Sequence, residues 1–368
     1  MPETSTAPDS APRRRAGKGR RRRPRARRRG LVVAAWSAAG VIVLGGSGLG
    51  YAYYHLNHNI KGVDIDAALG DDRPADTDNG SMDLLVLGSD SRSGANGQYG
   101  ADEGTARSDT AMVVHLYEGH KRASVVSIPR DTLVDRPECT TSGGKQVPGA
   151  HQQMFNSAYQ AGGPACAVKT VEAMSGIRMD HYVEVDFTGF KKLIDTLGGV
   201  PVTTHKNIED PKSHLTLAAG RHTLDGEKSL ALVRTRHGVG DGSDLGRIQL
   251  QQAFVKALLQ RVEHVGVLGN PAKAYKLASA ATSAITTDSG LDSVSSLASF
   301  GKSVKGVDSS GMTMVTLPVR YDQVNANRVL PDTAGDQQVW QALKGDKPVP
   351  KAATTGDAEG GADGVVSG

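Results

Sequence analysis

The chain has 368 residues, a net charge of +4 and 22% charged side chains. Its two cysteines lack thiolate-activating neighbours and its 11 histidines are scattered without metal-ligand spacing, which argues against a nucleophilic cysteine and against zinc chemistry. The charge is uneven: residues 1–30 hold 12 Arg or Lys against 2 acids, so the arm is about +10 and the rest of the chain is near −6.

The basic arm runs directly into Leu31–Tyr54, a stretch without a single charged residue. As a helix rising 1.5 Å per residue it would reach roughly 36 Å, more than the ~30 Å hydrocarbon core of a bilayer. Tyr51, Tyr53 and Tyr54 close it, where amphipathic rings favour the headgroup layer. The reading is one transmembrane helix over 31–54. Positive charge on the cytoplasmic side puts the arm 1–30 inside and everything after Tyr54 outside. A cleaved signal peptide needs a shorter apolar stretch. A nucleic-acid-binding arm is unnecessary once topology explains the charge.

Residues 55–81 read as a polar linker with one turn near Val63–Leu69, 82–345 as a single domain, and 346–368 as a disordered tail rich in Gly, Ala and Asp. Cys139 and Cys166 both fall in the external part, where oxidising surroundings favour a disulfide. Closing a loop of this size contributes about 3.5 kcal/mol in the chain-entropy description. Two free buried thiols are the alternative.

Within 82–345, apolar runs alternate with helical patterns. Asp83–Gly88, Thr110–Tyr117 and Ser124–Ile128 read as buried strands, and Tyr182–Phe187 as an alternating one. Gly163-Pro164 opens a helix through Met174, with proline at an allowed first-turn position. Gly189–Leu197 is a short helix closed by Gly198-Gly199. Asp225–Leu232 and the long Asp244–His264 follow. Interleaved strands and helices predict a single layered α-β-α domain with a mixed central sheet, preceded by the transmembrane helix.

Three polar clusters sit at strand ends: Gly88-Ser89-Asp90-Ser91-Arg92, Arg107-Ser108-Asp109-Thr110 and Pro129-Arg130-Asp131-Thr132. Strand ends are where α/β sheets bind ligands. Farther on, Arg234, Arg236, Asp244, Arg247 and Gln251 crowd into one short stretch. A guanidinium fork matches phosphate oxygens two at a time. Asp244, Arg247 and Gln251 share one helical face, continued by Phe254, which is expected to be displayed. Ile248, Val255, Leu258, Leu259 and Val262 are expected to face the core. Arg234 and Arg236 point the same way if their segment is extended. An ordinary ion-pair network, with Asp131 and Asp244 partnering Arg130 and Arg247, explains any one of these residues. Their combination points to a polyanion such as a pyrophosphate. No GxxxxGK[ST], HExxH or GxSxG motif is present.

In Leu85–Arg92, Arg107–Thr110, Ser127–Thr132, Phe155–Tyr159 with Gly162-Gly163, Met179–Phe190, Leu197–Val200 and Arg234–Gln251, in that order and spacing, the sequence resembles the LytR–CpsA–Psr family of wall-glycopolymer ligases. The resemblance implies that 82–345 is an extracellular catalytic domain on a single-pass membrane protein. It implies a phosphotransferase that moves a glycopolymer from a polyprenyl-pyrophosphate carrier onto peptidoglycan. It also implies Mg²⁺ held by Asp90 and Asp109, phosphate contacts from Arg107, Arg130, Arg234, Arg236, Arg247 and Gln251, and an active-site position at Asp244. Either Asp90 or Asp109 could instead be the proton acceptor. The lipid tail would need an apolar pocket, with Val183, Val185, Phe187, Phe190 and Leu193 as candidates and core packing as the alternative role. The loop His237–Gly242 departs from relatives often richer in charge there, which bears on polymer or acceptor choice. Two other functions fit the same residues: a polyprenyl-pyrophosphate phosphohydrolase, and a non-catalytic anchor or regulator that binds wall polymer.

Overall fold

The computed structural model describes residues 47–89, 108–141, 143–265, 270–354, 362 and 364–368. The chain divides into two compact units, Met1–Tyr51 and Ala52–Gly368. Of the first, residues 47–51 are described and are helical. Among the described residues no helix is long and apolar enough to cross a membrane. The expected span over 31–54 and the basic arm 1–30 lie mostly outside the described residues.

In the second unit a mixed seven-stranded sheet is built from β1 (Lys61–Val63), β2 (Met82–Ser89), β3 (Ser108–Leu116), β4 (Ala123–Ile128), β5 (His181–Asp186), β6 (Ile285–Asp288) and β7 (Met312–Thr316). Their spatial order is β1-β6-β5-β2-β3-β4-β7. β2 pairs antiparallel with β3 and parallel with β5, and β4 pairs antiparallel with β3 and parallel with β7. All six residues of β4 are buried, as a strand covered on both faces requires. The expected strands and the layered architecture with a mixed sheet are therefore present.

Helices cover both faces of the sheet. They are α1 (Asp66–Leu69), α2 (Phe155–Ser175), α3 (Phe187–Leu197), α4 (Gly226–Arg234), α5 (Asp244–His264), α6 (Pro271–Ala284), α7 (Val294–Ser303) and α8 (Thr333–Lys344). On one face Leu85, Leu87, Val113, Val126 and Ile128 meet Val168 and Val171 of α2 and Val339, Trp340 and Leu343 of α8. A second core joins Leu250, Phe254 and Ala257 of α5 to Ile194 of α3 and to a small sheet containing Val200 and Val202. α3 starts where the Asp186 side chain accepts a hydrogen bond from Gly189 N at 2.8 Å and ends at Gly198 in the left-handed region (φ 78°). A Cβ at Gly189 would overlap Ala284, so glycine lets α3 and α6 approach closely.

α2 is two helices joined at Gly162 and Gly163, whose backbones are non-helical. Pro164 then opens the second piece, matching the predicted start. The kink seats a disulfide between Cys139 and Cys166, with Cα atoms 5.4 Å apart. A Cβ on Gly162 would overlap the Cys166 sulfur. Cys139→Ser together with Cys166→Ser should lower unfolding free energy by about 3.5 kcal/mol, read from chemical denaturation. An unchanged midpoint would show that the cross-link adds nothing.

Two expectations at the ends of the domain need correction. The linker 55–81 is part of the fold: β1 pairs with β6, and Arg73 of this segment donates to Glu172 of α2 at 2.6 Å and to the Met179 carbonyl at 2.7 Å. The tail 346–368 is ordered where it is described. Lys351–Thr354 forms a turn of 3-10 helix, and Val366–Ser367 pairs antiparallel with Thr203 and Thr204. Ala362, Val365 and Val366 seal the second core.

Candidate active site

The cleft lies at the end of the sheet where β3 begins and β4 ends. β3 contributes Asp109 and Thr110 at its first residues, and the turn after β4 contributes Arg130. α4 delivers Arg234 as its last residue, and the extended Thr235 that follows (φ −62°, ψ 135°) carries the chain to Arg236. α5 brings Asp244, Arg247 and Gln251 on one face, N-capped by Ser243. Together with Lys212, Phe187 and His237, these residues, apart from Asp244, line a cleft of about 330 Å³. Arg130 thus meets three arginines that lie over a hundred residues further along the chain.

Asp244 is the hub. One of its oxygens, Oδ1, pairs with Arg247, takes Arg236 Nη2 at 3.0 Å and lies 3.7 Å from Arg130 Nε. The other accepts the Arg130 backbone N–H at 3.1 Å. Arg130 Nη1 pairs with Asp109, and Arg247 Nη2 donates to the Asp109 carbonyl at 2.8 Å. Gln251 Nε2 donates to Thr110 Oγ1 at 3.0 Å and to the Val233 carbonyl at 2.9 Å, tying α5 to β3 and α4. The Arg234 guanidinium lies 5.1 Å from the centre of the Phe187 ring, a cation–π distance.

The electrostatics follow from this crowding. Burial opposes the charge on Asp109, but Arg247 and Arg130 outweigh it and hold the carboxyl below its ordinary value. Burial pushes the Arg247 guanidinium down to about 10, so it stays a cation at neutral pH. Burial also opposes the charge on Arg130, and Asp109, Asp244 and Asp131 more than restore it. Arg130 Nε and Arg247 Nε are buried without a hydrogen-bond partner among the described residues. Such a surplus of donors suits an oxygen-rich ligand.

The expected residues Asp109, Arg130, Arg234, Arg236, Asp244, Arg247 and Gln251 are all brought together. Asp90 and Arg107 lie outside the described residues. The expected display of the α5 polar face is wrong in one respect: Asp244, Arg247 and Gln251 are only 9%, 4% and 5% exposed. The expected core stripe is also displaced. Ile248 is buried, but Leu258 is only partly buried and Val262 is 42% exposed, while Leu250, Phe254 and Ala257 form the core contact. The helix turns its charged face inward because other charges wait there. Of the expected apolar set, Phe187 is buried and Val183, Val185, Phe190 and Leu193 are half-buried. The Phe190 ring packs 5.7 Å from that of Phe254, a core contact.

Sequence reading missed Lys212 and Asp210. Asp210 is 1% exposed and accepts backbone N–H groups from Arg236 at 2.9 Å, His237 at 3.1 Å and Lys212 at 3.0 Å. It fastens the loops that carry Lys212 and Arg236 to each other. Burial works against its charge, but these N–H groups outweigh that and lower its pKa. Asp210→Ala should therefore cost about 3 kcal/mol near neutral pH. Because the folded pKa is depressed, the stabilisation is present above 3.8 and is lost as pH falls through the lowered folded value. The gap between parent and variant in urea melts should close in that acid window. A gap that persists would assign the stability to packing alone. The only signal in the sequence was an acid directly before Pro211-Lys212.

Among the described residues no group of three or more His, Cys, Asp or Glu is placed to hold a metal. Asp109, one of the two expected Mg²⁺ ligands, lies in the cleft and is kept anionic. One carboxylate or two is what Mg²⁺ takes from a protein when phosphate oxygens and water complete its shell. Asp109 supplies one such carboxylate, paired here with Arg130, and Asp90 lies outside the described residues.

Fold and cleft together define a mixed-sheet α/β protein with a cation-lined pocket at the sheet's end. The sequence pattern of the LytR_cpsA_psr family matches residues 52–345, and the chain belongs to that family. The cell wall biosynthesis protein LcpA of Corynebacterium glutamicum is 32% identical over 308 residues, 76% of this chain and 58% of its own length. The chain thus spans less than two thirds of that relative. The polyisoprenyl-teichoic acid–peptidoglycan teichoic acid transferase TagT of Bacillus subtilis is 33% identical over 253 residues, 66% of this chain and 73% of its own. The solved structure of a LytR-Csp2A-Psr enzyme from Actinomyces oris shares the fold. Its TM-score is 0.57 at 24% identity, over 77% of this chain and 96% of that one.

Proposed function

We propose that this protein is a phosphotransferase that moves a glycopolymer from a polyprenyl-pyrophosphate carrier onto peptidoglycan. The observation that carries the reading is the convergence of Arg130, Arg234, Arg236, Arg247 and Lys212 on one cleft beside Asp109. Phosphoryl transfer asks a protein chiefly for positioning and charge neutralisation, and this cleft supplies both. The name of the relative TagT supports the same donor and acceptor classes.

The acceptor hydroxyl oxygen bonds to the phosphorus that bears the sugar. The bridging P–O bond of the pyrophosphate breaks, and polyprenyl phosphate leaves with that oxygen. The hydroxyl proton passes to a carboxylate or to water. Arg236 and Arg247 hold the pyrophosphate oxygens as charge builds up on them. Asp109, kept anionic by its arginines, is a weak base and serves better as a ligand for Mg²⁺, with Asp90 the second proposed ligand. Bound there, Mg²⁺ neutralises phosphate charge. The half-buried Val183, Val185 and Leu193 offer the lipid tail apolar surface. The chain is held in the cell membrane by the span 31–54, with the arm 1–30 in the cytoplasm and the catalytic domain outside.

The test is transfer itself: a lipid-linked glycan, soluble peptidoglycan and the purified full chain, with polymer-linked product measured against free glycan phosphate. Free glycan phosphate alone would make the protein a phosphohydrolase. A second measurement addresses the metal: EDTA should abolish turnover and added Mg²⁺ should restore it. Full activity in EDTA would remove Mg²⁺ from the site.

A further inference from the structure

A second cleft, of about 460 Å³, shares Arg130 and Arg236 with the first and has Asp244 in its own wall. Its far side is a hairpin, Val319–Tyr321 paired antiparallel with Val329–Pro331. The hairpin is pinned to the Arg130 segment, since Val329 N donates to the Asp131 carbonyl at 3.3 Å and Arg328 Nη1 lies 3.9 Å from Asp131 Oδ1.

The two clefts differ in charge. The first gathers Lys212, Arg130, Arg234, Arg236 and Arg247 against Asp109 and Asp210, and Asp210 is already taken up by backbone N–H groups. The second balances Arg130, Arg236 and Arg328 against Asp131, Asp241 and Asp244. A polyanion belongs in the first. The second, near neutral and edged by amide, carboxylate and phenol groups, suits the hydroxyls of a sugar. Tyr321, 39% exposed, offers a ring face for a sugar's C–H groups while its OH donates to Asp241 Oδ2 at 2.8 Å.

Arg130 spans the join. Its Nη1 pairs with Asp109 in the first cleft, and its Nε lies 3.6 Å from Asp131 and 3.7 Å from Asp244 in the second. Phosphoryl transfer places the attacking and leaving oxygens roughly in line on opposite sides of phosphorus. Two clefts meeting at Arg130 and Arg236 provide those two sides. We infer that the second cleft binds the acceptor glycan, with Tyr321 and Asn327 as its recognition residues. This rests on the transferase reading above and adds to it where the acceptor sits.

The experiment uses the full chain, a lipid-linked donor and a soluble peptidoglycan glycan strand. Tyr321→Ala and Asn327→Ala should each raise the acceptor concentration for half-maximal transfer at least about tenfold, with no matching rise for the donor. Direct titration of the same glycan strand, without donor, should show the same weakening. If the parent binds the strand but transfers nothing, the transferase reading fails and the titration still judges the cleft. Folded Tyr321→Ala and Asn327→Ala proteins that bind the strand as tightly as the parent would overturn the proposal.

Discussion

Arg236→Ala and Arg130→Ala should each lower turnover by about three orders of magnitude while the protein stays folded. Both guanidinium groups line the cleft and keep about a quarter of their side-chain surface open, 25% for Arg236 and 23% for Arg130. They can therefore reach a ligand. Folding should survive because Asp244 keeps Arg247 as a partner in either variant. Lysine should rescue little at position 130. That side chain holds Asp109 with one nitrogen while another lies between Asp131 and Asp244, and an ammonium has no such fork. Single-turnover assays alongside thermal melts decide the matter. Near-parent rates in both variants would remove the phosphate-binding role from this cleft.

Asp244→Ala should be the most destabilising change in the site, by about 3–5 kcal/mol, the usual cost of stripping a buried charge of its counterion. Arg247 is 4% exposed and already has one N–H, at Nε, without a partner among the described residues. Without the carboxylate it would face Arg130 and Arg236 with Asp109 as its one acidic neighbour among the described residues. Asp244→Asn keeps the shape and some hydrogen bonding, so its loss should fall between the parent and the alanine variant. Equilibrium urea unfolding separates the three proteins. A loss below about 1 kcal/mol, the scale of an exposed pair, would mean that the guanidinium groups are solvated rather than held.

Much of the scaffold could be read from local pattern. The runs at Asp83–Gly88 and Ser124–Ile128 are strands because continuous apolar stretches bounded by polar turns have no better way to be buried. Gly163-Pro164 and Gly198-Gly199 marked helix ends because proline and left-handed glycine act on the chain immediately beside them. The arginines were legible as a group because their composition was unusual. What stayed hidden depended on partners distant in sequence. Nothing near Arg73 announces Glu172, and nothing near Asp210 announces the N–H groups of Arg236 and His237. The α5 face was misjudged for the same reason. A polar stripe reads as solvent-facing until Asp109 and Thr110 arrive from β3 to receive Arg247 and Gln251. Residues 346–368 looked too poor in large side chains to order, yet a two-residue strand beside Thr203 and Thr204 fills a gap that only the assembled core defines.

A single carboxylate oxygen of Asp244 serves three guanidinium groups. These four positions are coupled, since losing the acid takes a shared counterion from all three cations at once. In any lineage descended from this chain they should be inherited as a block or abandoned together, and a homologue lacking the aspartate should have given up the reaction along with it.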